Sequence, residues 1–166
     1  ADKYDGQVHA TPLRSVTIAM NEPIGAMGIV CPDAHPLLGF ISLVGPALAM
    51  GNSVVVVPSE RHPLAATDFY QVVETSDLPP GALNIVTGLR EEVVPTLAGH
   101  ADVEQLWYFG PKSGCAEIER LSAGNMKRTW CDDGPPRNWL DDREAAGREF
   151  LRQATHVKNI WVPYGE

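Results

Sequence analysis

The chain has 166 residues, with 13 Lys and Arg against 21 Asp and Glu and a formal net charge of −8 at pH 7. That length suffices for one domain with a real core, and the acidic balance argues against a nucleic-acid surface, which needs clustered Lys and Arg. No apolar run approaches bilayer length and no signal peptide is visible, so a cytoplasmic protein without membrane contact is expected.

Residues 6–20 (GQVHATPLRSVTIAM) read as two extended runs broken at Thr11-Pro12. The second, Ser15 to Met20, alternates polar and apolar, as a half-exposed strand does. Ala26 to Cys31 (AMGIVC) is short and nearly all apolar, which predicts a buried strand. Pro36 to Met50 is apolar almost all round and predicts a buried helix stopped at Gly51. GNSVVVVPSE, residues 51–60, then sets four valines in a row before Pro58-Ser59-Glu60. This is a strand buried on both faces, followed by a helix from about Leu64 to Thr75.

Leu78-Pro79-Pro80-Gly81 is a turn, Leu83 to Val86 a short strand, and Thr87-Gly88 a break. Glu91 to Leu97 reads as a brief helix, Val103 to Phe109 as a strand, Lys112 to Ala123 as a helix and Met126 to Cys131 as a fifth strand. Strand and helix alternating at this interval is the rhythm of a parallel sheet with helices on both faces. Asp132 to Asn138 (DDGPPRN) is turn-rich and stops it. A charged, amphipathic helix is predicted from Asp141 to about Ala154, with acids near its start as the helix dipole prefers. His156 to Val162 (HVKNIWV) alternates again and reads as a last strand, closed by Pro163 and Gly165.

The expected fold class is therefore α/β. A Rossmann-like open parallel sheet with helices on both faces covers residues 23–154, and a β arm (1–22) and C-terminal strand (155–166) form an oligomerisation-type sheet. These two outer segments have no place in the parallel sheet. Unpaired edges are hazardous, so they are expected to pair with each other or with a neighbouring subunit.

The polar candidates are few. Cys31, Cys115 and Cys131 are widely spaced, giving neither a zinc knuckle nor a disulfide framework, and read as reduced thiols. Five scattered histidines suggest no metal site. Lys127-Arg128 reads as an exposed basic pair, and Trp161, on a strand without a parallel-sheet partner, as an interface residue. Ala1 in place of a starting Met leads to the expectation that the gene product begins upstream.

Five segments, in this order and spacing, resemble the aldehyde dehydrogenase superfamily: ADKYDG, NEPIGAMGIVCP, PLLGFISLVGPALAMGNSVVVVPSE, SDLPPGALNIVTG and AGNMKRTW. The C-terminal EFLRQATHVKNIWVPYGE is similar to that family's last helix and oligomerisation strand. With Trp107-Tyr108-Phe109 it looks most like the second, non-catalytic domain of the two-domain (family-sixteen type) members. The resemblance implies NAD lying across the strand ends, a cysteine thiolate attacking an aldehyde, and a glutamate activating water.

Carried over position by position, the resemblance leaves little of that chemistry. The nucleophile's domain would follow Asp132-Asp133-Gly134, where this chain passes almost directly to its C-terminal helix, and none of the three cysteines stands at the nucleophile's place. The oxyanion-donating Asn falls on Ala34, which has no side-chain donor. The base falls on Asp132, whose plainer reading is a solvated turn residue. Of the two ribose anchors, the lysine is Val57 and the glutamate remains as Glu60. The pyrophosphate turn reads Tyr108-Phe109-Gly110-Pro111, and Pro111 removes both an N–H and a hydroxyl. Trp107 and Phe109 are expected to crowd the cleft.

Glu60, Gly88 and Gly110 thus remain as vestigial cofactor contacts. The resemblance implies a catalytically inactive structural and assembly module without a cofactor of its own. It would belong to an NAD-dependent aldehyde dehydrogenase and pair through its arm and tail strand with another such domain or subunit, in a homo-oligomer. The alternatives are a residual NAD-binding domain that supplies or senses cofactor, and one surviving piece of an active enzyme.

Overall fold

The computed structural model describes residues 4–12 and 14–164; Ala1 to Lys3 of the first quoted segment and the turn expected at Gly165 lie outside the described residues. In chain order the elements are β1 (Gln7–Ala10), β2 (Ser15–Pro23), β3 (Ala26–Val30), α1 (Pro36–Ala49), β4 (Ser53–Val57), α2 (Leu64–Glu74), β5 (Leu83–Ile85) and α3 (Arg90–Gly99). There follow β6 (Gln105–Tyr108), a 3-10 turn (Lys112–Gly114) leading into α4 (Cys115–Ser122), β7 (Arg128–Cys131), α5 (Asp142–Ala145), α6 (Arg148–Gln153) and β8 (Thr155–Pro163).

Five strands form a parallel sheet in the order β5-β4-β3-β6-β7. The valine run of β4 lies inside it, with Val54, Val56 and Val57 buried, as continuous apolar runs in doubly covered sheets are. One face packs Met27, Ile29, Val54, Trp107 and Phe109 against α1, α2 and the tail helices. The other packs Val30, Val57, Leu106 and Tyr108 against α3 and α4. The Rossmann-like expectation is met.

Strand alternation also corrects one expectation. Side chains two apart share a face, so Trp107 and Phe109 both turn away from the cleft and into the core, where Trp107 is fully buried. There they meet Trp130 edge-to-face at centroid distances of 4.9 and 5.0 Å, and Phe150 of α6 meets the same ring at 5.5 Å. Tyr108, between them, is the residue that faces the cleft side.

Three further expectations are revised. Helix α1 is apolar all round but buries only the stripe Gly39, Phe40, Leu43, Val44 and Ala47, because it is an outer layer; Leu37, Leu38 and Ile41 are exposed. The single helix expected over 141–154 is two. Asp141 does cap the first, accepting from Arg143 N at 2.9 Å. The chain then extends at Gly147, a poor helix former, before α6 begins. Of the expected exposed pair only Arg128 is exposed. Lys127 is buried, with Nζ donating to His100 O at 2.7 Å, and Arg128 Nη1 donates to Thr155 O at 2.9 Å.

The arm and the tail find each other. β2 and β8 pair antiparallel over nine positions, from Ser15↔Pro163 to Pro23↔Thr155, and β1 adds four pairs on the other side of β2. Buried Asn52 joins this second sheet to the core. Its Nδ2 donates to Ala47 O and Ala154 O, both at 2.9 Å, while Oδ1 accepts Gly25 N–H at 3.0 Å.

Candidate functional site

Parallel strands end on one edge, and in open α/β sheets ligands bind in the crevice where the strand order reverses. Here the chain steps outward from β3 to β4 and β5, then returns through α3 to place β6 on the opposite side of β3. The reversal point is thus between the ends of β3 and β6. A cavity of about 570 Å³ opens there, lined by Asp33 after β3, Glu60 after β4, Arg90 at the start of α3, Tyr108 at the end of β6, and Pro111 and Glu117 beyond it.

The crevice is filled with the chain's own polar contacts. Arg90 Nη1 donates to Asp33 Oδ2 at 2.7 Å and Nη2 to Oδ1 at 2.8 Å, a bidentate fork, while Nη2 also reaches Cys31 O at 2.9 Å. Ser59 Oγ donates to the same Asp33 Oδ1 at 2.7 Å. The Arg90 and Ser59 hydrogen bonds hold the Asp33 carboxyl well below the usual carboxylate range, against a smaller opposing effect of burial.

Of the sequence-derived candidates, Glu60 does line the crevice, but its Oε2 accepts the Arg90 backbone N–H at 2.9 Å and so caps α3. Gly88 lies one loop away, beside Pro58 and Leu89, close under Val93. Gly110 lies under the Tyr108 ring, whose atoms would come within 2.8 Å of a Cβ placed there. The structure therefore brings only Glu60 into the crevice. Tyr108 donates its hydroxyl to Pro111 O at 3.0 Å, so the turn that would face an anion is held by a tyrosine.

Sequence reasoning missed Asp33 and Arg90 as site residues. Asp33 stands in the loop just past β3 and Arg90 opens the helix that follows β5, and that placement of opposite charges was the available signal.

As they stand, these side chains do not fit a dinucleotide in the manner the resemblance implies. Val57, at the lysine position, is buried in the core. Four carboxylates (Asp33, Glu60, Glu91, Glu117) outnumber two guanidinium groups (Arg61, Arg90) around the cavity, the wrong sign for phosphate.

Burial also acts on the three thiols and on Asp132. Burial pushes up the thiols of Cys31 and Cys115 and takes Cys131 up to about 12. Asp132 is not a freely solvated turn residue. Burial raises its carboxyl, and Arg137 Nη2 lies 3.9 Å away, its guanidinium spread over Phe109, Trp130 and Phe150. Among the described residues no group of three or more His, Cys, Asp or Glu is placed to hold a metal ion, and no helix is long and apolar enough to cross a membrane.

Comparison with known proteins identifies the lineage. The model of the aldehyde dehydrogenase family matches residues 1–135. The NADP/NAD-dependent aldehyde dehydrogenase PuuC of Escherichia coli K12 is 35% identical over 134 residues, 80% of this chain and 27% of that protein. The crystal structure of PnpE from Pseudomonas sp. WBC-3 superposes with a TM-score of 0.76 at 30% identity, over 80% of this chain and 27% of that one. A betaine aldehyde dehydrogenase from Staphylococcus aureus, solved in complex with NAD+, gives the same TM-score and the same coverage of both chains at 28% identity. The chain thus spans about a quarter of the length of the relatives it matches.

Proposed function

Because the chain belongs to the aldehyde dehydrogenase family, we propose that it is a catalytically inactive structural and assembly module of an NAD-dependent aldehyde dehydrogenase, the oxidation of aldehyde to carboxylate being done by another domain. The observation that carries this reading is the sheet β1-β2-β8. Register aligns Val8, Ile18 and Ile160 on one face, next to Ala10, Val16 and Val162. Val8 is 73% exposed and Val16 and Val162 are also open to solvent. An apolar sheet face with two unpaired edges is what a protein covers with a partner.

The partner proposed is another aldehyde dehydrogenase domain or subunit, including a second copy of this chain, with the arm (1–22) and tail (155–166) as the docking unit beside the 23–154 domain. Trp161, 60% exposed, lies on the opposite face of β8 and is proposed as a separate contact there. Three free cysteines suit a reducing, cytoplasmic setting. The inactivity reading is supported by the masked thiols and by Ala34 in place of an oxyanion donor.

Analytical ultracentrifugation tests the assembly. The wild type is expected to self-associate or to bind a catalytic aldehyde dehydrogenase domain, and Val16→Lys with Val162→Lys to abolish either while leaving the circular dichroism unchanged. A wild type that stays monomeric and ignores the catalytic domain contradicts the reading. The second reading, a residual NAD-binding domain using Glu60, Gly88 and Gly110, is favoured by one observation, the cavity at the strand-order reversal. Saturable NAD+ binding by the wild type would select it.

A further inference from the structure

The assembly reading leaves the charged centre of the crevice without a task. Asp33 follows β3, Ser59 and Glu60 follow β4, and Arg90 opens α3 after β5, so their bonds tie three loops together at one point. The Arg90 side chain is 11% exposed and that of Asp33 26%. A planar guanidinium donates the same two N–H vectors to the paired oxygens of a carboxylate or of a phosphate. At the reversal point, where the fold offers a ligand its place, those vectors are taken by the chain's own carboxylate.

We propose that Asp33 is an internal surrogate ligand: it occupies the fork of Arg90 and bars phosphate-bearing ligands such as dinucleotides from the crevice. Two effects act together. Both arms of the fork are already occupied, with Nη2 shared between Asp33 and Cys31 O. The Asp33 charge also adds to those of Glu60, Glu91 and Glu117, so an approaching phosphate meets net negative potential. Displacing Asp33 would leave a partly buried carboxylate unpaired, which is unfavourable. Because its pairing keeps Asp33 ionised far into the acid range, the surrogate stays in place at any physiological pH.

The proposal makes a gain-of-function prediction. In Asp33→Asn the side chain keeps its shape and can still accept from Ser59, but its charge is gone and the Nη1 arm of the Arg90 fork loses its acceptor. NAD+ and inorganic pyrophosphate would each be titrated by calorimetry into the wild type, Asp33→Asn, and Asp33→Asn with Arg90→Gln. Circular dichroism would confirm the fold, with Asp33→Ser in reserve should the asparagine variant unfold. The wild type is expected to give no saturable binding up to millimolar ligand. Asp33→Asn is expected to bind pyrophosphate at least tenfold tighter, and the double variant to lose that gain.

Binding of pyrophosphate without NAD+ would mean that the fork is released but the nucleoside does not fit. A folded Asp33→Asn that binds no better than the wild type overturns the proposal. A gain that survives Arg90→Gln overturns it too, as does saturable binding by the wild type. Self-association is read on separate samples, so an Asp33→Asn variant that gains nothing leaves the assembly reading standing, whereas saturable NAD+ binding by the wild type counts against both.

Discussion

The Arg90–Asp33 pair and the three thiols give the residue scale its tests. The folded-state pKa of Asp33 is depressed by its hydrogen bonds to Arg90 and Ser59. The stability it contributes is therefore complete above its unfolded value of about 4 and is lost as pH falls toward the folded value. Asp132, raised by burial, has the opposite sign and opposes folding where it is ionised. Asp33→Asn should flatten the acid limb of the melting temperature against pH below about pH 4. An unchanged limb would show that the pair does not contribute to stability. Cys131, pushed up to about 12, should carry roughly a thousandfold less thiolate at neutral pH than an ordinary cysteine. Alkylation followed by mass spectrometry should accordingly label it only slowly in the native chain and fast once unfolded. Fast native labelling would show an activated thiol and reopen the question of catalysis. At this scale Glu60 was legible as a polar residue ending an apolar strand. Its partner was not, because Arg90 lies 30 residues further on and only the fold brings the two together.

Among the elements, the parallel strands were legible because unbroken apolar runs such as Val54 to Val57 have few other uses. The face each residue occupies was harder, since a strand buried on both sides shows no alternation. Trp107 and Phe109 show this: their bulk suggests a crowded cleft, yet they pack on Trp130 in the core. The same strand holds Gln105, fully buried with neither side-chain amide atom finding a partner among the described residues. Replacing such a group by an apolar one of similar size removes a desolvation penalty of about 1–3 kcal/mol. Gln105→Leu should therefore raise the unfolding free energy in urea, and a loss would show that the amide is satisfied in solution. Phe150→Ala should cost about 3–5 kcal/mol in the same experiment. It empties a fully buried position where the tail helix meets Trp107 and Trp130, and a loss below 1 kcal/mol would mean that α6 packs loosely.

At the level of the whole molecule, the family match stops at residue 135, yet Trp139, Ala145, Phe150 and Ala154 lie in the main core and β8 pairs along the full length of β2. The tail is thus part of the same folded body as the matched segment. That the two outer strands would pair was legible from their alternation and their lack of any other sheet. Their register was not, since nothing local sets Ser15 opposite Pro163. Architecture of the aldehyde dehydrogenase kind is retained here around a crevice whose Arg90 fork is taken by the chain's own Asp33. In the account proposed above, the molecule keeps the fold for assembly and has given up the cofactor. The most direct test of that claim is a calorimetric titration of the wild-type chain with NAD+. The account predicts no saturable heat up to millimolar cofactor; saturable micromolar binding, abolished by ligand competition at the crevice, would contradict it.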